Sequence, residues 1–364
     1  MPDPIWIHDE HGLDELARQL RTADRVAIDT EFLRERTFFP RLCLLQVAAD
    51  RGIWCVDTLA LPLDPLAPLL EAPAVRKLAH AARQDLEALR HAVGRVAAPV
   101  FDTQIAAACA GLKPQIGYAE LVRTLLGVSL DKAHTRTDWS RRPLSREQLS
   151  YAADDVRYLE EIAALLEQRV RELGREDWVR EDCAALADPR LYESDPESAW
   201  ERLGAIARLE PRARGRARAL AAWRERTAQQ RNLPRAWILP DAAIYEVAEA
   251  APADRDELAR IRSMPSPYAA KFADDLLATL RDAATTGDAD DEPARAARPS
   301  DAERAAIERM ARVLDSRAAE LGVSAEVLAT RGQIKALATG TREIGALRGW
   351  RRAVIGERLL AALE

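Results

Sequence analysis

The chain has 364 residues, 48% hydrophobic and 31% charged, which is enough length for more than one compact core at an ordinary globular composition. A net charge of −6 excludes indiscriminate polyanion binding by the whole surface and confines any nucleic-acid contact to local basic patches. Four scattered cysteines (Cys43, Cys55, Cys109, Cys183) form no C-x-x-C pair, no basic-then-apolar leader opens the sequence, and no apolar run is long enough for a membrane. A cytoplasmic protein with free thiols is the expectation.

The first half alternates strand and helix patterns. Strands are expected at 25–31 (RVAIDTE), 42–48 (LCLLQVA) and 53–57 (IWCVD), with a polar turn between the second and third. Such close spacing suits an antiparallel meander, because parallel neighbours need a long crossover. A helix near 65–70, a short buried strand at 75–79, a helix over 82–92, a strand at Val100-Phe101 and a helix after Asp102 continue an α/β layer pattern to about residue 190.

Beyond Ser198 the strand signals vanish. Segments 200–208, 213–231, 241–250, 254–261 and 268–282 are helix-like and separated by Pro, Gly and Asn breaks. The acidic stretch 284–297 reads as a flexible linker, and helical patterning resumes from 298 to 364. The expected organisation is therefore an α/β domain over 1–195, an all-α domain over 198–283, the linker, and a second helical domain over 298–364.

Only five basic residues are lysine (Lys77, Lys113, Lys132, Lys271, Lys335), the rest being arginine. Ten arginines fall between Arg202 and Arg235, against two acids, Glu210 and Glu225. Such a stretch would attract a phosphate backbone largely without reading sequence. A solvated arginine face packed on acidic neighbours accounts for it equally well.

The chemistry lies in the carboxylates. Asp29 and Glu31 are two apart at the end of an apolar strand, so both project from one face while Ile28 and Thr30 face the other. Asp85 sits where a strand gives way to a helix, and Tyr151 lies four residues before Asp155 on one helix face, with Asp154 a competitor three residues on. Each feature alone is an ordinary surface pattern. Together, four ionised acids carry a charge that two divalent cations would neutralise, and two such ions roughly 3.5–4 Å apart can clamp a phosphodiester.

At these residues the chain resembles ribonuclease D, the tyrosine-bearing branch of the DEDD 3′→5′ exonucleases. Asp29-Thr30-Glu31, the run 77–85 (KLAHAARQD) and 151–155 (YAADD), preceded by 130–144, match its three motifs. The resemblance implies an α/β ribonuclease-H-like exonuclease domain followed by all-α HRDC-like helical domains. It makes Asp29, Glu31, Asp85 and Asp155 ligands of two Mg²⁺ or Mn²⁺ ions, with Asp155 preferred over Asp154. It makes Tyr151 the residue that positions the attacking water. Phe32 would contact the terminal nucleotide, or simply pack at the strand end, and Lys132, Arg136 and Arg141 would lie where phosphates pass, or form an ordinary salt-bridged surface. The implied substrate is RNA with a free 3′ end, shortened one 5′-mononucleotide at a time, with precursors of tRNA and other stable RNAs as cellular targets. The HRDC likeness rests on 222–234 (AWRERTAQQRNLP) and 238–244 (ILPDAAI); the last block departs further.

No lysine follows a glycine, so a Walker A loop is excluded and no ATP motor is expected. A DNA-directed 3′→5′ exonuclease would use the same acids. A non-catalytic RNA-binding scaffold is the third reading, and the complete acid set disfavours it.

Overall fold

The computed structural model describes residues 3–50, 52–131, 137–264, 266–285 and 299–363. The chain divides into two compact units. One comprises Met1–Leu33, Arg41–Pro189 and Pro299–Glu364; the other comprises Arg34–Pro40 and Arg190–Arg298.

The first unit is built on a mixed sheet of β1 (Ile5–Ile7), β2 (Arg25–Leu33), β3 (Arg41–Ala49), β4 (Gly52–Val56), β5 (Arg76–Ala79) and β6 (Val100–Asp102), in the order β1-β4-β3-β2-β5-β6. As the spacing predicts, β2, β3 and β4 form an antiparallel meander. β5 and β6 then extend it in parallel through helical crossovers, and β1 pairs parallel to β4. β1 was not anticipated, because three residues are too few to show an alternation. β3 is buried on both faces along most of its length, which is why it reads as a continuous apolar run.

Helices α1 (Glu10–Gln19), α2 (Ala67–Glu71), α3 (Arg83–Val93), α4 (Thr103–Cys109), α5 (Tyr118–Leu126), α6 (Arg146–Arg157), α7 (Leu159–Glu172) and α8 (Glu176–Ala185) belong with this sheet. Two local signals matter for the site. α3 stops at Gly94, which takes the left-handed conformation at φ 76° that suits a residue without Cβ. α6 starts in a capping box, Ser145 accepting from Gln148 N while the Gln148 side chain accepts from Ser145 N. Lys77 on β5 is fully buried, and burial pushes its ammonium down to about 8. It is kept polar company by the carbonyls of Val75 at 2.7 Å, Ala72 at 3.1 Å, Leu69 and Ala98.

The last helical block belongs to this same unit. It contains α9 (Asp301–Leu321), α10 (Ala325–Leu328), α11 (Arg331–Ala338) and a closing helix, Glu357–Leu363. Met310, Leu314, Leu337, Trp350 and Leu359 share one apolar core with Leu121, Leu159, Leu166 and Trp178 of the sheet's helices. Charged groups pin the seam: both guanidinium nitrogens of Arg351 reach Asp182, at 2.6 and 2.8 Å, and Arg175 donates to the carbonyls of Cys109 and Leu321.

The second unit is helical, as expected. Its segments are Pro211–Arg231, Arg235–Ile238, Asp241–Ala250, Arg255–Ala259 and Ser266–Thr285, preceded by 3₁₀ turns between Pro189 and Arg208. Its core includes Leu220, Ile238, Ile244, Val247 and Leu276. Segment 34–40 joins it through Phe38, whose N–H, like that of Phe39, donates to Asn232 Oδ1 at 3.1 and 3.0 Å. Apart from Ala284 and Thr285, the acidic segment 284–297 lies outside the described residues.

Candidate active site

The four acids reach one place by three routes. β2 carries Asp29 and Glu31 two residues apart. β5 pairs with β2 at 25–27 and stops at Ala79, so the end of β2 runs on past β5 and α3 begins in the space beside it. Asp85, in the first turn of α3, thereby comes alongside β2. Its carboxyl accepts a hydrogen bond from Thr30 Oγ1 at 2.6 Å. α6 brings Tyr151 and Asp155 on one face. A register shift between Glu31 and Phe32 interrupts the ladder where the acids stand, a common place for a bulge.

Electrostatics confirm that these groups feel one another. Burial, then Asp85, Asp155 and Glu31 in turn, push Asp29 well above the ordinary carboxylate range. Burial, then Asp155 and Asp85, push Glu31 up to about 8. Asp155 is raised to about 7 by burial first and then by Asp154 and Asp85. Asp85 rises to about 6 through burial, with the Thr30 hydroxyl pulling the other way. Asp85 is buried, whereas Asp29, Glu31 and Asp155 keep partial access to solvent. A pocket of oxygen donors whose charges destabilise one another is the donor set that a hard divalent cation neutralises. Among the described residues, no three His, Cys, Asp or Glu side chains stand in closed coordinating geometry. The acids form an electrostatic cluster.

Asp154 is engaged elsewhere: Arg157 Nε donates to it at 2.6 Å. That leaves Asp155 as the α6 carboxylate turned to the cluster. The Tyr151 ring stacks on Trp139, centroids 6.1 Å apart at 28°. Tyr118, partly buried with its hydroxyl accepting from Tyr158 N at 3.2 Å, feels Asp155 and Asp29; desolvation above all keeps this phenol protonated.

The secondary contacts fare unevenly. Phe32 follows the bulge and is partly exposed. Arg141 is exposed and paired with Asp138 at 3.2 Å. Lys132 and Arg136 lie outside the described residues. Its neighbour Arg142, unremarked in the sequence, grips both oxygens of Asp57 at 2.7 and 2.8 Å and the Cys43 carbonyl, fixing the segment before α6 to β3 and β4. Thr30 was missed because strand alternation assigns it to the face opposite Asp29 and Glu31.

The arginine-rich stretch of the helical unit is largely spent on its own fold. Arg202 and Arg235 bind the fully buried Glu225, Arg224 binds Asp241, Arg226 binds Glu197, and Arg216 donates to the Ala248 carbonyl. Arg231 is exposed beside the Phe272 ring. The packed-face account thus holds for at least these five arginines.

A 3′-5′ exonuclease family model matches residues 4–171, and the HRDC domain model matches 213–280. Fold and site together define a metal-dependent 3′-5′ exonuclease carrying an HRDC domain. Ribonuclease D of Gluconacetobacter diazotrophicus is 41% identical over 99% of this chain and 93% of that protein. Ribonuclease D of Pseudomonas paraeruginosa is 36% identical over 100% and 98%. The crystal structure of Escherichia coli RNase D, described as an exoribonuclease involved in structured RNA processing, superposes with a TM-score of 0.90 at 29% identity, covering 100% of this chain and 99% of that one. The catalytic core of RRP6 from Trypanosoma brucei shares the fold, with a TM-score of 0.62 at 22% identity over 79% of this chain and 84% of that one. The chain belongs to the ribonuclease D family. No helix among the described residues is long and apolar enough to cross a membrane.

Proposed function

We propose that this ribonuclease D-family exoribonuclease removes nucleotides from RNA 3′ ends by two-metal hydrolysis, releasing 5′-mononucleotides, and that precursors of tRNA and other stable RNAs are its targets in the cytoplasm. The convergence of Asp29, Glu31, Asp85 and Asp155, all raised first by burial and three of them further by the charge of others in the set, carries the reading. Two divalent ions, Mg²⁺ or Mn²⁺, held by these four would activate water and stabilise the departing 3′ oxygen. The chain's own contributions are geometric. Tyr151 orients the water by a hydrogen bond from the face it shares with Asp155, while Thr30 holds the Asp85 carboxyl in one rotamer. Phe32, partly exposed beyond Glu31, offers its ring to the terminal base.

The domain reading is an exonuclease domain over 1–195, an HRDC domain over 198–283, and a divergent HRDC-like block over 298–364. In the HRDC domain the exposed Arg231 serves RNA phosphates; Arg141, with Lys132 and Arg136, serves the same purpose for the exonuclease domain.

The deciding experiment incubates the protein with 3′-extended RNA and matched DNA, with Mg²⁺ or with chelator. Metal-dependent 5′-mononucleotides from RNA are expected. Preferential degradation of DNA would overturn the substrate assignment. Tight RNA binding without turnover would overturn the catalytic one.

A further inference from the structure

Asp102 closes β6 and caps α4, accepting from Gln104 N at 2.8 Å and Ile105 N at 3.4 Å. The same buried carboxylate serves a second element. Ala81 N donates to its Oδ1 at 3.0 Å and Ala82 N to its Oδ2 at 2.8 Å. These two residues form the turn from β5 into α3, and Ala81 holds φ at 55°, a left-handed conformation that an L residue with a Cβ resists. α3 receives no side-chain cap from its own N-cap residue, Ala82. Its entry is held from outside, by Asp102. Thr103 adds to the hold, its hydroxyl donating to Ala79 O at 3.0 Å and meeting His80 Nδ1 at 2.9 Å. Three residues beyond Ala82 stands Asp85.

We propose that Asp102 is a positioning residue of the exonuclease site: by fixing the Ala81–Ala82 turn it sets the point from which the Asp85 carboxyl enters the acid cluster. The proposal rests on the reading of Asp85 as a metal ligand. Asp102 touches no reacting atom. It accepts four backbone N–H bonds, which only an acceptor-only carboxylate can do at both oxygens; an asparagine would turn an NH₂ against one set of donors. Either choice releases a helix entry, and a functional carboxyl held outside about 0.5 Å of its productive place loses most of its value.

The test compares the full-length wild type with D102N, A81V, the double variant A81G/D102N, and D85N. Mn²⁺ binding is measured by calorimetry, and the Mg²⁺ dependence of kcat and the KM for a 3′-extended RNA oligonucleotide by turnover. D102N should bind metal about tenfold more weakly, the scale on which groups that orient metal ligands act, while KM for RNA at saturating metal stays unchanged. A81V keeps the carboxylate but forces a β-branched residue into the left-handed turn, and should shift metal affinity the same way. It decides the matter if D102N does not fold. A81G/D102N should recover part of the loss, because glycine holds that φ without strain. A purely structural role would lower thermal stability and leave metal affinity untouched; that result in folded D102N or A81V, with D85N inactive, overturns the proposal. Wild-type turnover and metal affinity in D85N would instead overturn the assignment of Asp85.

Discussion

Trp178 of α8 and Trp350 of the C-terminal block lie face to face, ring centroids 4.0 Å apart and planes 8° from parallel. The Trp350 backbone N–H donates to Glu181 at 2.8 Å and its indole N–H to Asp182 at 3.1 Å, so the ring is fixed at its polar edge as well as its face. α8 in turn supports β6, where Cys183 Sγ accepts from Asp102 N at 3.3 Å. The C-terminal block thus bears on the strand that positions the α3 entry. Replacing Trp350 by alanine should lower stability by about 3–5 kcal/mol, the usual cost of emptying a buried tryptophan site. Urea unfolding checks this. An unchanged midpoint would mean that the block does not hold the exonuclease core.

Thr30→Val is expected to cut kcat/KM about tenfold while the protein stays folded. The substitution keeps shape and removes the 2.6 Å donation to Asp85, which leaves that oxygen without its side-chain donor. A hydrogen bond to a charged group contributes about 1.5–3 kcal/mol, enough for that loss in rate. Thr30→Ser should retain most activity. Steady-state kinetics on an RNA oligonucleotide decides, and wild-type rates in the valine variant would show that Asp85 needs no such restraint.

The contrast between these two sites explains what the sequence made legible. The meander strands were readable because their signals are local: apolar runs, a polar turn, spacing too short for a crossover. The acids were readable because they sit within short motifs. Thr30 was not, because strand alternation describes the two faces of β2 and takes no account of the early end of β5, which lets Asp85 approach from the side. The arginine block stayed open between two readings for a related reason. Its partners are distant in sequence, Arg202 from Glu225 by 23 residues and Arg224 from Asp241 by 17, so a composition window sees unpaired charge where the fold has paired it. The seam between Trp178 and Trp350 spans a greater separation still and has no local signature.

Tyr151→Phe should reduce kcat about a hundredfold at unchanged KM for RNA, within the range that one positioned proton-handling group supplies. Phenylalanine keeps the ring that stacks on Trp139, so a folding defect is not expected to contribute. Thermal melting and single-turnover rates at saturating Mg²⁺ separate the two. Full activity in this variant would remove the water-positioning role from the hydroxyl.

Glu225 gives the helical unit an acid-sensitive element. Its side chain is fully buried, yet Arg235 donates to it at 2.6 Å, Arg202 at 3.3 Å, and the Ser194 hydroxyl adds a third contact. Burial alone would raise its pKa; these hydrogen bonds and charges more than offset that and hold it below the ordinary glutamate value of 4.5. The sign of the linkage follows. A carboxyl that is more acidic folded than unfolded contributes its full stabilisation above the unfolded value, and that contribution drains away as pH falls from there through the folded value. The helical unit should therefore keep constant stability from pH 7 to about 5 and lose it progressively below about 4.5. Glu225→Ala should cost about 1.5–3 kcal/mol at neutral pH by removing the charged acceptor that Arg235 and Arg202, both partly open to solvent, share. Glu225→Gln should cost less and flatten the acid limb. Thermal unfolding from pH 7 to pH 3 reads both effects, and an acid limb unchanged in the glutamine variant would assign the sensitivity to other carboxylates.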